Sequence, residues 1–177
     1  MHTFESFAHN LEQIIDRSRN YKEVVTAGAS ELKKLLYNKN LLTEQYIDDV
    51  LYGRIDNTVF FSEKHGFVVQ VFTWDGHSET PVHDHGTWGL MGVYHNNLHV
   101  TEYAMTKIDE NSYDVSPYQE FPAKENDVCY LLPPDEEIHL IKNPTDSLSI
   151  SFHIYGKRIL EYNTYDLENG QIIHNIV

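Results

Sequence analysis

Cysteine and basic residues are scarce in this sequence. Cys129 is the single cysteine, so no disulfide can form within the chain. Only 13 lysines and arginines stand against 27 aspartates and glutamates, which gives a net charge of −14 at pH 7. Because no basic stripe interrupts this acidic balance, the chain would repel a phosphate backbone. We therefore set nucleic acid aside as a partner.

Long apolar runs and a leader segment are also missing. No apolar run approaches the roughly 20 residues that a membrane helix requires. The first thirty residues lack a basic start followed by an apolar stretch and a small-residue cleavage site. We expect a cytoplasmic protein without membrane contact. The chain of 177 residues suits one domain, 1–177, that can bury a real core.

The residues that are present divide the chain near residue 55. Apolar residues at three-four spacing predict a first helix capped by Thr3, and further helices begin near Tyr21 and Thr43. From Thr58 onward, short β-branched or aromatic runs alternate with glycine, proline, asparagine and aspartate. This order predicts a mainly β, α+β protein. Residues 56–177 would form an antiparallel barrel or sandwich, and residues 1–55 a helical cover on one side.

Two local features refine this outline. The helical pattern weakens around Ala27-Gly28-Ala29 and restarts at Ser30, which predicts an interruption of the second helix. Asn96-Asn97 is typical of a tight hairpin turn, because asparagine tolerates a positive φ.

His83-Asp84-His85 is the most informative motif of the strand-rich part. In a β-strand, residues i and i+2 point to the same face about 7 Å apart, so the two histidines can chelate one ion while Asp84 faces away. Such pairs also arise by chance in a chain with 11 histidines. His139, further along the chain, offers a third imidazole. We interpret the three histidines as ligands of one metal ion.

Ser151, His153 and Tyr155 follow the same alternation. A polar row that faces into a small barrel is costly unless a metal or hydrogen bonds satisfy it. We interpret these residues as a hydrogen-bonded triad beside the metal. The alternative is a buried polar face that water or backbone groups satisfy.

The residues around the histidines resemble the two motifs of the cupin superfamily. Glycine and proline flank the His-x-His pair at Gly76, Pro81, Gly89 and Gly92, and a Pro-Pro turn precedes His139. The glutamate that commonly completes the first motif is missing, because Gly89 lies in its region. Three neutral imidazoles leave a divalent ion its full double charge, which favours a substrate thiolate and leaves a position for dioxygen. Imidazoles also suit zinc, copper and nickel, so this ligand set does not choose iron by itself.

The missing glutamate and the run Ser151-Phe152-His153-Ile154-Tyr155 together resemble the cysteine dioxygenase-type thiol dioxygenases, over roughly Tyr52 to Tyr155. The resemblance implies a cupin barrel with N-terminal helices and an Fe(II) cofactor. It also implies insertion of both atoms of O2 into the sulfur of a small thiol, cysteine or a mercapto acid, to give a sulfinate. The site residues that it implies are the metal ligands His83, His85 and His139 and the catalytic residues Ser151, His153 and Tyr155.

A further motif concerns the residues that would bind the substrate. Tyr52-Gly53-Arg54 fits an element that supplies a carboxylate-binding arginine in the cysteine-specific members of that family. Arg54, with Tyr52, is therefore the candidate for binding the substrate carboxylate, and a solvated arginine at a helix end is the alternative. No cysteine occurs from Gly86 to Gly92, so no cysteine–tyrosine crosslink is expected. The run Thr80–Leu90 looks more like the mercaptopropionate-type branch, which leaves the thiol open.

The alternative function is a non-catalytic cupin, or a zinc or nickel cupin of another activity, that binds a small ligand. Metal analysis and oxygen uptake with small thiols separate the two hypotheses.

Overall fold

Three helices open the described part of the fold. The computed structural model describes residues 2–107, 113–134 and 136–177. The helices are α1 (Phe4–Arg17), α2 (Tyr21–Leu36) and α3 (Glu44–Leu51). The side chains that cap them each accept a backbone N–H of the first turn, and they belong to Thr3, Asn20 and Thr43. None of these described helices is long and apolar enough to cross a membrane.

Antiparallel strands follow the helices. They are β1 (Thr58–Phe61), β2 (Val68–Trp74), β3 (Gly89–His95), β4 (Leu98–Lys107), β5 (Tyr113–Ala123), β6 (Val128–Leu131), β7 (His139–Lys142), β8 (Ser149–Tyr155), β9 (Glu161–Asp166) and β10 (Gln171–Ile176). One sheet has the order β1-β2-β8-β3-β6, a second has the order β5-β4-β7, and β9 pairs with β10. This architecture confirms the predicted fold class, an antiparallel β-barrel or jelly roll with N-terminal helices.

The helices cover one face of the five-stranded sheet. Apolar side chains of α1 and α2 pack there against β2, β3 and β8, and complete burial of each stabilises the fold by about 1.5–3 kcal/mol. Representative members of this core are Phe7, Leu11, Leu32, Leu36, Val69, Leu90, Phe152 and Ile154. The other face of the same sheet turns toward the three-stranded sheet, where Trp74, Met91, Val100 and Ile141 belong to a second core. The candidate site lies on this inner face.

The structure of α2 differs from the predicted interruption of the second helix. The helix runs without interruption through Ala27-Gly28-Ala29. Gly28 is buried, and a Cβ at this position would lie 2.9 Å from Leu90 Cδ1 and 3.2 Å from Leu11 Cδ1. Glycine disfavours a helix by about 1 kcal/mol relative to alanine, but here it lets α2 approach its neighbours closely. Tertiary packing therefore keeps the helix continuous.

The connection at Asn96-Asn97 differs from the predicted hairpin turn. Asn96 has a φ of 62°, as expected for a tight turn. However, β3 and β4, which it joins, belong to different sheets. The two residues therefore carry the chain from one sheet to the other and do not close a hairpin.

Candidate metal centre

His83 and His139 face each other across a short antiparallel bridge. The backbone N–H of each donates to the C=O of the other at 3.0 Å, and their ring centroids lie 4.4 Å apart. The ring centroid of His85 lies 4.7 Å from that of His83 and 5.3 Å from that of His139. All three side chains are buried. The structure thus brings the three sequence-predicted ligands together.

Backbone carbonyl groups orient two of these rings. Nδ1 of His83 donates to the C=O of Pro81 at 2.9 Å, and Nδ1 of His139 donates to the C=O of Glu137 at 2.9 Å. Because a carbonyl oxygen can only accept, each Nδ1 carries the proton. In the neutral rings, Nε2 therefore keeps the lone pair that a metal ion requires.

Burial keeps the rings neutral. It lowers the pKa of His83, and it lowers the pKa of His85 and His139 well below the ordinary histidine value, with neighbouring imidazoles adding to the effect. A neutral imidazole is the form that binds a metal. The cluster therefore presents uncharged ligands at neutral pH.

His85 is the ring that most needs a metal. Its Nδ1 and Nε2 atoms are buried and have no hydrogen-bond partner in the described part of the chain. Leaving a buried polar group unpaired costs about 1–3 kcal/mol, and coordination to an ion would remove this cost for the nitrogen that carries the lone pair. The residues present therefore fit a divalent metal ion.

No carboxylate joins the cluster within residues 2–107, 113–134 and 136–177. The candidate ligand atoms of the three histidines lie within 4.8 Å of one another, and no aspartate, glutamate or cysteine atom of these ranges belongs to the group. Glu102 lies opposite His139 in the sheet register, but its carboxylate accepts the hydroxyl of Tyr118 at 2.7 Å. The site is a three-histidine centre that could hold iron, zinc, copper or nickel.

Asp84, between two of the histidines, anchors β9. Its carboxylate accepts the backbone N–H of Asn163 at 2.9 Å, the side-chain amide of Asn163 at 2.8 Å and the hydroxyl of Tyr165 at 2.6 Å. Its own backbone N–H donates to the C=O of Asn163 at 3.1 Å. The segment that would carry two metal ligands forms only an isolated bridge at His83 and not the predicted strand. Asp84 thereby fixes this segment to the C-terminal hairpin, β9–β10.

Ser151, His153 and Tyr155 form one hydrogen-bonded row on β8. Ser151 Oγ lies 2.9 Å from His153 Nε2, and His153 Nδ1 lies 2.9 Å from the Tyr155 hydroxyl. All three are buried. The ring of Tyr155 lies 4.5 Å from that of His85, measured between centroids, so the row ends beside the histidine cluster.

Trp74 gives this row a direction. Its indole Nε1 can only donate, and it donates to Ser151 Oγ at 2.8 Å. The described residues offer the Ser151 hydroxyl proton no acceptor other than His153 Nε2. Burial lowers the pKa of His153 to about 3, so the ring is neutral at neutral pH. Because Nε2 accepts the Ser151 hydroxyl, the single ring proton lies on Nδ1, which donates to the Tyr155 oxygen. We call these four residues, Trp74, Ser151, His153 and Tyr155, the relay.

The end of the relay is a free donor. Since the Tyr155 oxygen accepts from His153, its own proton is available to another group. Burial raises the pKa of Tyr155, so the hydroxyl stays protonated at neutral pH. The relay therefore presents one O–H donor beside the three histidines.

A cavity of about 320 Å³ opens onto this site, and we call it the barrel cavity. His83, His85, His153 and Tyr155 all line it. Most of the remaining wall is aromatic or aliphatic, and it includes Phe72, Trp74, Ile141, Ile159 and Tyr162. The cavity is large enough for a small organic molecule and places that molecule against both the histidines and the relay.

Arg54 and Tyr52 lie away from the barrel cavity. Arg54 Nε donates to the Asp49 carboxylate at 2.6 Å, and its guanidinium lies over the ring of Tyr52 at 5.1 Å. The Arg54 side chain is 49% exposed, and Tyr52 is 68% exposed. Neither residue lines the cavity. The structure therefore does not bring the predicted carboxylate-binding pair to the histidines.

Cys129 and Gly89 bear on the expected absence of a crosslink. Burial raises the pKa of the Cys129 thiol to about 12, so it stays protonated. Gly89 lies opposite Tyr155 in the sheet register, and a Cβ there would lie 3.3 Å from Tyr155 Cδ1. Glycine thus leaves room for the tyrosine ring, and it offers no side chain to bond to it.

Several site residues were not predicted from the sequence. Gln70, Phe72 and Trp74 line the barrel cavity from β2, and their alternate positions carry the same signal as the triad on β8. Tyr162, whose ring centroid lies 6.4 Å from that of His83, lies on β9, which Asp84 helps to fix beside the site. No sequence pattern indicates that contact.

Comparisons with known proteins found solved structures of low similarity, several of which are cupins. No protein-family model matches the sequence. A sugar phosphate isomerase from a cupin superfamily, of Silicibacter pomeroyi, is 14% identical with a TM-score of 0.43, and the match covers 63% of this chain and 68% of that one. A cupin domain from Schizosaccharomyces pombe is 17% identical with a TM-score of 0.42, covering 55% and 57% of the two chains.

An oxalate oxidase in complex with glycolate is 13% identical with a TM-score of 0.40, and the match covers 61% of this chain and 45% of the enzyme. This chain therefore spans less than two thirds of the second and third of these structures. None of the three is a thiol dioxygenase. The resemblance to that family stays a prediction.

Proposed function

We propose that this protein is an iron(II)-dependent thiol dioxygenase that inserts both atoms of O2 into the sulfur of a small thiol, giving a sulfinate. In the net reaction the sulfur is oxidised and O2 is reduced, so no additional reductant is required. One observation carries the proposal: three buried imidazoles, with no described carboxylate among them, lie beside a relay that ends in a free hydroxyl donor.

The ligand set supports this chemistry. His83, His85 and His139 would hold the ion. When bound there, iron(II) would keep its double charge and supply affinity for a thiolate together with activation of dioxygen. A carboxylate ligand would reduce that charge.

The relay supports it as well. Tyr155 would donate a hydrogen bond to a reactant held in the barrel cavity, and His153 and Ser151 would keep its hydroxyl in position. A preorganised donor in a site that excludes water stabilises developing negative charge more strongly than the same donor in water. Phe72 and Tyr162 contribute aromatic surface to the wall of the cavity.

The decisive experiment measures metal content and oxygen uptake of the purified protein with cysteine, cysteamine and 3-mercaptopropionate. We expect iron, thiol-dependent uptake and a sulfinate product that gains two oxygen atoms for each O2 consumed. His83→Ala should lose both iron and activity. His95→Ala, at a side chain that is 60% exposed, is the matched control and should retain both.

Firmly bound zinc or nickel, with no thiol-dependent oxygen uptake, would support the alternative, a cupin of another activity or a non-catalytic ligand-binding cupin.

A further inference from the structure

The described side chains that line the barrel cavity carry no permanent charge. Apart from its histidines, the described residues that line it include no lysine, arginine, aspartate or glutamate. A carboxylate that entered the cavity would leave water without gaining a cationic side chain as a partner. Burying a charge without a partner is costly.

Three basic residues that could supply a cation to the cavity are engaged or exposed elsewhere. Arg54 is paired with Asp49, and the guanidinium of Arg158 lies 5.4 Å from the ring centroid of Phe61. Lys157 is exposed to solvent. None of the three cations lines the cavity.

One neutral group of the wall, the amide of Gln70, offers an acceptor to a ligand that carries a donor. Gln70 Nε2 donates to Asn57 Oδ1 at 3.1 Å and to Thr58 Oγ1 at 3.3 Å. The amide oxygen of Gln70 accepts no hydrogen bond from the described residues, so it is the acceptor that this side chain can offer a ligand. Thr80 Oγ1 accepts the backbone N–H of Ile141 at 3.0 Å, which leaves one neutral hydroxyl donor.

Aromatic faces and the overall charge favour the same ligand. Phe72, Trp74 and Tyr162 line the cavity, and aromatic faces attract ammonium groups. The net charge of −14 raises the local concentration of cations and repels anions. The aromatic lining of the cavity and the negative net charge of the chain therefore both favour an amine over a carboxylate.

We propose that the substrate of this site is a small aminothiol without a carboxylate, of which cysteamine is the simplest example. Its sulfur would face the three histidines, and its ammonium would donate to Gln70. This inference rests on the proposed function. It replaces the predicted contact between Arg54 and a substrate carboxylate with a contact between Gln70 and a substrate ammonium.

The first test compares cysteamine, cysteine and 3-mercaptopropionate in two measurements. One is kcat/KM from oxygen uptake. The other is the Kd of each thiol for the iron(II) protein, measured by calorimetry without oxygen, which does not depend on turnover. We expect cysteamine to have a kcat/KM at least about tenfold higher, and a Kd at least about tenfold lower, than 3-mercaptopropionate, which is the scale of an unpaired buried polar group.

The second test changes the wall. Gln70→Arg should raise the preference for 3-mercaptopropionate over cysteamine by about tenfold or more, because it supplies the missing cation. Gln171→Arg is the matched control, since it adds the same charge at an exposed position outside the cavity, and it should leave the ratio unchanged. If Gln70→Arg does not fold, Gln70→Glu serves in its place and should strengthen cysteamine binding.

The outcomes separate the two proposals. Equal or better use of the carboxylated thiols overturns the aminothiol inference and leaves the proposed function standing. The inference also falls if Arg54→Gln selectively abolishes use of cysteine and 3-mercaptopropionate, which would place Arg54 at the substrate. Absence of oxygen uptake with all three thiols overturns the proposed function and this inference with it.

Discussion

Three side chains at the centre, those of His83, His139 and Trp74, have assignable hydrogen-bonding roles, because His83 and His139 each face a carbonyl group that can only accept and the Trp74 indole can only donate. Carbonyl groups force Nδ1 of His83 and His139 to donate, and the indole of Trp74 forces the relay to run toward Tyr155. Burial keeps the histidines neutral and the tyrosine protonated. The chemistry of the site is therefore set by fixed proton positions.

Tyr155→Phe tests the end of the relay. The change removes the O–H donor and leaves the three histidines in place, so iron content should stay near wild type. Turnover should fall by roughly 10- to 100-fold, since a hydrogen bond to a charged group contributes about 1.5–3 kcal/mol. Metal analysis and oxygen uptake measure the two effects. Loss of iron would mean that Tyr155 acts at the metal itself, and unchanged turnover would remove it from the reaction.

Trp74→Phe tests the start of the relay. Phenylalanine retains much of the aromatic wall but cannot donate to Ser151, so the direction of the relay is no longer enforced. We expect a fall in kcat that is smaller than that of Tyr155→Phe and that disappears when Tyr155 is already phenylalanine. A double-mutant cycle on kcat measures this coupling. Additive effects would show that Trp74 acts through packing alone.

At the scale of elements, two contacts of the segment that carries His83 and His85 assemble the centre. The bridge between His83 and His139 brings the two motifs face to face, and Asp84 fixes β9 to the segment that carries His83 and His85. β9 and the loop before it then bring Ile159 and Tyr162 to the cavity wall. One buried carboxylate thus couples the candidate metal site to the wall that faces the substrate.

Asp84→Asn tests this coupling. An asparagine presents an N–H to donors that now share a carboxylate, so the change should lower the free energy of unfolding by about 2 kcal/mol or more. It should also speed hydrogen exchange at the backbone N–H of Asn163. Asp146→Asn is the matched control, because its side chain is 99% exposed, and it should change stability by less than about 0.5 kcal/mol. Equal stability of the two variants would contradict the anchoring role.

At the scale of the whole molecule, the histidine cluster should link metal binding to stability. An ion that binds only the folded chain stabilises it by about 2.7 kcal/mol at 100 times its Kd. For a chain of this size, that corresponds to a change in Tm of roughly 5–10 °C. Calorimetry of the iron-loaded and chelator-treated protein measures it. His85→Ala should abolish the difference, and identical Tm values for the wild type with and without metal would contradict a metal centre.

The sequence by itself determined the order of helices and strands, the three histidines and the alternation of the triad. Spacing along one strand is a local property, and a period of two residues fixes which side chains share a face. Helical caps such as Thr3 are equally local, because their partners lie within the first turn.

Only the tertiary structure decided the rest. Continuity of α2 at Gly28, the crossing between sheets at Asn96 and the position of Arg54 depend on what packs beside them. The relay direction set by Trp74 and the uncharged wall that includes Gln70 arise from residues far apart in the chain. Periodicity indicates the face on which a side chain lies, but the partner that it meets there depends on the folding of distant segments.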